Sequence, residues 1–169
     1  MKYLIPLLLV VFISLQLFAQ NESAQSGKKA QNFKLPDLDG NHQELNNLIG
    51  EGPVLLSFWA TWCKPCMEEI AEYNKIYKDH KNNGFKLIAI STDNEKTVAK
   101  VKPFIKSKNY NFTVLLDTNS DVARKYYAQQ IPYTVLIDKN GNIIYTHLGY
   151  MRGDEKKVRE LIEQQVSNL

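Results

Sequence analysis

Polar and apolar positions fall along this chain in blocks whose period changes from one to the next, and those periods predict the elements. The first block stands apart. Leu4 to Phe18 is almost unbroken apolar sequence, broken mildly by Ser14 and Gln16, with Lys2 ahead of it and Ala19 behind. That is the layout of an export leader over residues 1–19. Leu17 is bulkier than the small residue usual at its position before a cleavage site, so an uncleaved N-terminal anchor is the alternative. The run is shorter than the roughly 20 residues that a spanning helix prefers. Residues 20–30 are polar and rich in Ser, Gln and Lys, the composition of a linker. A single domain is expected over 31–169.

Phe33 to Leu35 alternates, Asp39-Gly40 is a turn signal, and a short second strand follows near Gln43 to Leu45, which together predict an N-terminal β-hairpin. Val54 to Trp59 reads as a buried strand, bounded by Gly52-Pro53. From Pro65 the period becomes helical: Met67, Ile70, Tyr73 and Tyr77 recur every three or four residues, and Gly84 is a natural stop. Phe85 to Ser91 is a second buried strand. Thr92 to Lys108 is a helical stretch in which Pro103 demands a kink or a late start. Phe112 to Leu116 is a strand, and Ser120 to Gln129 a short helix with Asn119 or Ser120 as its cap. Tyr133 to Asp138 and Asn142 to Leu148 are strands joined through Asn140-Gly141. Lys156 to Val166 is a last helix with Val158, Leu161, Ile162 and Val166 on one face. Apolar strands alternating with helices predict an α/β fold, a central mixed sheet with helices on both faces.

Composition adds little to this picture. The 169 residues carry a formal net charge of +3, and loss of Lys2 with the leader takes it to +2. Lys and Arg are dispersed among Asp and Glu with no basic stripe, so no nucleic-acid partner is expected.

The candidate chemistry lies in Trp62-Cys63-Lys64-Pro65-Cys66, which holds both cysteines of the chain. Outside the cytoplasm a disulfide between them can persist. A structural staple is the plain reading, but closing so short a loop gives only roughly 2 kcal/mol, less any strain. Neighbouring cysteines suit reversible exchange better: one thiolate attacks a substrate disulfide and the second resolves the mixed disulfide. Cys63 follows a strand and precedes a helix, where unpaired N–H groups and the helix dipole favour a thiolate. Pro65 fits an early helical position. Cys63 is therefore the expected nucleophile and Cys66 the resolver. Lys64 adds positive charge nearby, or is simply solvated.

Phe58-Trp59-Ala60-Thr61-Trp62-Cys63-Lys64-Pro65-Cys66 resembles the active-site segment of thioredoxins, and Ile131-Pro132-Tyr133-Thr134 resembles the loop that faces it. With the leader, the hairpin and an inserted αβ segment from about Thr92 to Leu116, the chain resembles the TlpA/ResA-like extracytoplasmic branch over roughly Ala30 to Gln165. That resemblance implies a thioredoxin-like fold and a cis bond at Pro132 that exposes the Ile131 backbone to an extended substrate. A plain trans turn is the reading from base frequencies. Trp62 is expected beside the thiols, limiting access, so Trp62, Lys64, Pro65, Ile131 and Pro132 form the candidate substrate-binding set. The branch has an acidic residue three positions after the second cysteine, and Glu69 stands there. On a helix it shares a face with Cys66 and could tune the thiol or take its proton. An exposed surface glutamate is the alternative. Ser57 departs from the buried Asp of cytosolic thioredoxins.

What the resemblance implies for function is a thiol–disulfide oxidoreductase in the periplasm or on the outer face of the cytoplasmic membrane. Electrons would pass from a membrane thiol transporter to protein disulfides, apocytochrome c among them. No cofactor beyond the Cys63–Cys66 disulfide, no metal, and a monomer are expected. Met67 follows Cys66 where c-type haem attachment needs His, and His42, His80 and His147 lie in different elements. A peroxiredoxin is one alternative, though no proline completes the peroxidatic pattern ahead of Thr61. A copper-binding chaperone with His147 as third ligand is the other.

Overall fold

The computed structural model describes residues 27–169, so the leader and most of the linker lie outside the described residues. Five strands form one sheet in the order β5-β4-β3-β6-β7: β3 (Val54–Trp59), β4 (Lys86–Ser91), β5 (Thr113–Leu116), β6 (Tyr133–Ile137) and β7 (Ile143–Leu148). β3, β4 and β5 run parallel, β6 runs antiparallel to β3, and β7 antiparallel to β6. A separate hairpin pairs β1 (Lys34–Pro36) with β2 (His42–Glu44). The helices are α1 (Lys64–His80), α2 (Val101–Ser107), α3 (Asp121–Lys125) and α4 (Glu155–Val166). Among the described residues, no helix is long and apolar enough to cross a membrane.

β3 sits between two neighbours and is buried on both faces, which is why its sequence is apolar throughout except for Ser57. Its side chains alternate. Leu55 and Trp59 join a core built from α1, α2 and α4, with Ile70, Tyr73, Ile105 and Ile162. Val54, Leu56 and Phe58 face Phe33, Leu35 and Leu45 of the hairpin region and Val122 and Tyr126 around α3. Each fully buried aliphatic or aromatic side chain contributes about 1.5–3 kcal/mol over leaving it in water.

Several elements depart in detail from the periodic expectation. In α1 the buried residues are Cys66, Glu69, Ile70, Tyr73, Asn74 and Ile76, while Met67 and Tyr77 are half-buried at its margins. The inward face is thus rotated toward the cysteine and the carboxylate. α2 starts late, at Val101 after a single 3-10 turn, and Pro103 falls in its first turn, where a missing N–H leaves no helical bond unmade. Ser120 precedes α3, but its φ of 58° is not the extended conformation of a capping residue, and its side chain makes no cap bond. The buried Asp117 does that work, accepting Val122 N–H at 3.2 Å and Ala123 N–H at 2.8 Å.

After α1 the chain turns through Gly84 (φ 81°), which passes against Gly52 so closely that a Cβ on Gly52 would lie 2.6 Å from the Gly84 carbonyl oxygen. The polar stretch ahead of the domain joins it earlier than its composition suggests. Gly27 N–H donates to the Ile143 carbonyl, Lys29 bridges to Asn142, and Ala30 N–H donates to the Gly141 carbonyl, because the chain there lies against the start of β7.

Candidate active site

Trp59 ends β3, and residues 60–63 turn into α1. Asp93, beyond the end of β4 and fully buried, holds that turn: its carboxylate accepts Thr61 N–H at 2.8 Å and Thr61 Oγ1–H at 2.7 Å, and Ser91 Oγ–H at 3.0 Å. Cys63 caps the helix in extended conformation, and its Sγ accepts the Cys66 N–H at 3.3 Å. Lys64 and Pro65 form the first exposed positions of α1. The two sulfurs are joined in a disulfide with the Cα atoms 5.3 Å apart. Cys63 is 6% exposed and Cys66 is fully covered, so a partner reaches only the first sulfur.

Glu69 is fully buried one turn beyond Cys66, which removes the alternative of a surface glutamate. Its Oε2 accepts the Ser57 hydroxyl at 3.0 Å, and its Oε1 accepts the Thr134 hydroxyl at 3.0 Å and the Tyr73 hydroxyl at 3.2 Å. Tyr73 and Thr134 are themselves 3.0 Å apart. Burial in a low-dielectric interior pushes the Glu69 carboxyl up to about 7; the three hydroxyls oppose that shift without cancelling it, and the Asp154 charge adds to it. Burial likewise raises the Tyr73 phenol, which stays neutral. Ser57, which stands where cytosolic thioredoxins carry an acid on the strand, here serves an acid brought by the helix.

Ile131–Pro132 is a cis peptide. Pro132 is buried, and its carbonyl accepts Gly149 N–H at 2.8 Å, tying the loop after β7 to the loop before β6. Ile131 is half-buried and shares a groove with Trp62, Thr92, Arg124 and Gln129. Trp62 is 64% exposed at the turn before α1 and lines that groove, while Trp59 and Ile70 belong to the core. His42, His80 and His147 lie on β2, α1 and β7, and His147 Nε2 is 3.2 Å from Asp154 Oδ2. Among the described residues, no three His, Cys, Asp or Glu side chains group as metal ligands. Asp93, Tyr73 and Thr134 were not foreseen as parts of the site. Only the Asp93–Thr61 contact had a signal, an acid two residues beyond a buried strand.

Comparison with known proteins agrees with this geometry. The AhpC/TSA family matches residues 26–146. The thiol-disulfide oxidoreductase ResA of Bacillus cereus is 39% identical over 132 residues, covering 78% of this chain and 75% of the relative. ResA of Bacillus subtilis is 38% identical over 135 residues, 80% and 74% of the two chains. A crystal structure from Chlorobium tepidum, assigned as a thiol:disulfide interchange protein DsbE, superposes with a TM-score of 0.76 at 29% identity, over 84% of this chain and 98% of the other. With a fold of this kind, a CxxC pair at the head of α1 and relatives matched over three quarters of their length, the chain belongs to the AhpC/TSA family and, within it, to the ResA-like thiol-disulfide oxidoreductases.

Proposed function

We propose that this chain reduces protein disulfides outside the cytoplasm by cycling Cys63 and Cys66 between dithiol and disulfide. The observation that carries this reading is the placing of Cys63 Sγ at the head of α1, where it receives a backbone N–H and the positive end of the helix dipole. The reduced Cys63 thiolate attacks one sulfur of a substrate disulfide. A Cys63–substrate bond forms, and the substrate's other sulfur leaves as thiolate. Cys66 then gives its proton to the Glu69 carboxylate and attacks Cys63 Sγ. The Cys63–Cys66 bond forms, the mixed disulfide breaks, and the second substrate sulfur leaves. Two electrons have passed to the substrate, and the chain is left oxidised.

In this reading Trp62, Lys64, Pro65, Ile131 and Pro132 meet the substrate. An extended segment pairs with the Ile131 backbone and lays a side chain toward Trp62. No further cofactor is needed, since the two sulfurs carry the electrons. A monomer suffices, because one chain holds every group named. The leader-like segment supports a place in the periplasm or on the outer face of the cytoplasmic membrane, with a membrane thiol transporter as electron donor and apocytochrome c as one recipient. The test is turnover of a protein disulfide by the reduced chain, lost in Cys63→Ser, together with a mixed disulfide trapped by Cys66→Ser. Stoichiometric copper in purified protein, or peroxide consumption without disulfide turnover, would overturn the reading.

A further inference from the structure

Each turn of the cycle loads a proton onto a carboxyl without solvent access, and the charge around that carboxyl decides when it takes the proton. Thr134, which hydrogen-bonds Glu69, is the direct partner of His147 across the β6–β7 ladder. Direct partners in an antiparallel pair stand on the same face with Cβ atoms about 5 Å apart. His147 therefore occupies the Glu69 face of the sheet, one strand farther out, with its side chain 22% exposed. Its Nε2 lies 3.2 Å from Asp154 Oδ2, an oxygen that also accepts the Met151 N–H at 2.7 Å, and the Tyr145 ring stacks on the imidazole.

We propose that the His147–Asp154 pair sets the proton affinity of Glu69, and so the pH range in which that carboxyl accepts the proton of Cys66. The proposal rests on the thiol–disulfide reading above and adds two positioning residues to it, both acting through Glu69. Nearby carboxylates oppose each other's ionisation, so an anionic Asp154 favours the protonated form of Glu69. The charge of Asp154 is already felt at Glu69 in that direction. A cationic His147 beside Asp154 cancels the anion and favours ionised Glu69.

The other titratable groups facing this region do not offer that control. Tyr73 is held neutral by burial. Tyr150 donates its hydroxyl to Glu155 at 2.9 Å, which engages both groups, and its own phenol is raised above its ordinary value. Tyr145 is the stacking partner, and Glu72 is paired with Lys75 at 2.7 Å. Arg152 and Lys156 flank Asp154 in sequence but are fixed in charge.

The experiment is a carboxyl-carbon NMR titration of the oxidised full chain with labelled glutamate, in which the Glu69 resonance is the one absent from Glu69→Gln. In Asp154→Asn the Glu69 midpoint should fall by roughly 0.5–1 pH unit, a threefold to tenfold loss of proton affinity. In His147→Asn, which cannot carry a cation, it should rise. The pH profile of disulfide turnover should move with it in each case. A midpoint that stays at the wild-type value in either variant, or moves the opposite way, overturns the proposal. Asn at 154 keeps an acceptor for the Met151 N–H, and Asp154→Ser carries the same test should the amide disturb the turn. Turnover lost in Cys63→Ser is read without reference to these midpoints, so failure of the enzymatic reading is seen separately.

Discussion

Ser57 on the central strand donates its hydroxyl to Glu69 on the helix that carries the cysteines, at 3.0 Å and out of reach of water. The strand and the helix thus share one buried ionisable group, three residues after the second cysteine.

Glu69 makes stability depend on pH in a direction unusual for a carboxylate. Its folded value of about 7 lies above the ordinary 4.5. Between those values the folded chain holds a proton that the unfolded chain has lost. Its contribution is therefore fully present below about pH 4.5, falls as pH rises through 7, and is gone above, a change on the order of 3 kcal/mol. Urea unfolding of the oxidised protein at pH 5 to 8 should show wild type losing ground to Glu69→Gln by about that amount. Parallel curves for the two proteins would remove the assignment.

The two cysteines should differ sharply in reactivity once reduced. Cys63 keeps an opening to solvent and the first N–H groups of α1, while Cys66 is fully covered. Alkylation at pH 6–7 followed by peptide mass mapping should place at least about ten times more label on Cys63, whose thiolate the helix terminus favours. Equal labelling in the folded protein would contradict the division of roles.

Asp93 should prove necessary to the turn before Cys63. Asp93→Ala strands the Thr61 N–H and hydroxyl and the Ser91 hydroxyl, all donors to its carboxylate. Breaking a buried network of this kind costs roughly 2–4 kcal/mol, read as a lowered urea midpoint. Thr61→Val, which leaves the backbone N–H in place, should cost about 1–2 kcal/mol.

Trp62 should matter to the substrate and not to the fold. At 64% exposure its removal leaves no cavity, so Trp62→Ala should stay within about 0.5 kcal/mol of wild-type stability. If the groove it shares with Ile131 receives protein substrates, kcat/KM for a protein disulfide should fall roughly tenfold, while reaction of Cys63 with a small reagent changes little. A comparable loss with the small reagent would show that the ring serves the thiol instead.

Much of this architecture was legible because its signals are local. β3 is a six-residue run, apolar but for Ser57 and set off by Gly52-Pro53, and both cysteines stand where that run gives way to a helical period. What was hidden depends on partners far away in the chain. Glu69 stood out by its place three residues after Cys66, but its partners Ser57 and Thr134, 12 and 65 positions distant, did not. Asp93 finds Thr61 across 32 positions. His147 reads as an ordinary strand residue until the β6–β7 register sets it opposite Thr134. Ser120 looks like a cap, but the side chain of Asp117 reaches the same N–H groups from the end of β5, freeing Ser120 to take a left-handed conformation.

The attachment of Gly27 to Ile143 also orients the molecule. β7 begins at Ile143 and ends at Leu148, opposite Tyr133, and Tyr133 lies across from Phe58 at the cysteine end of β3. The chain therefore joins the domain at one end of the sheet while its sulfurs lie beyond the other, with the length of β7, about 17 Å, between those ends. Whatever precedes Gly27 thus meets the domain at the end away from the sulfurs, and the reactive end faces away from that attachment.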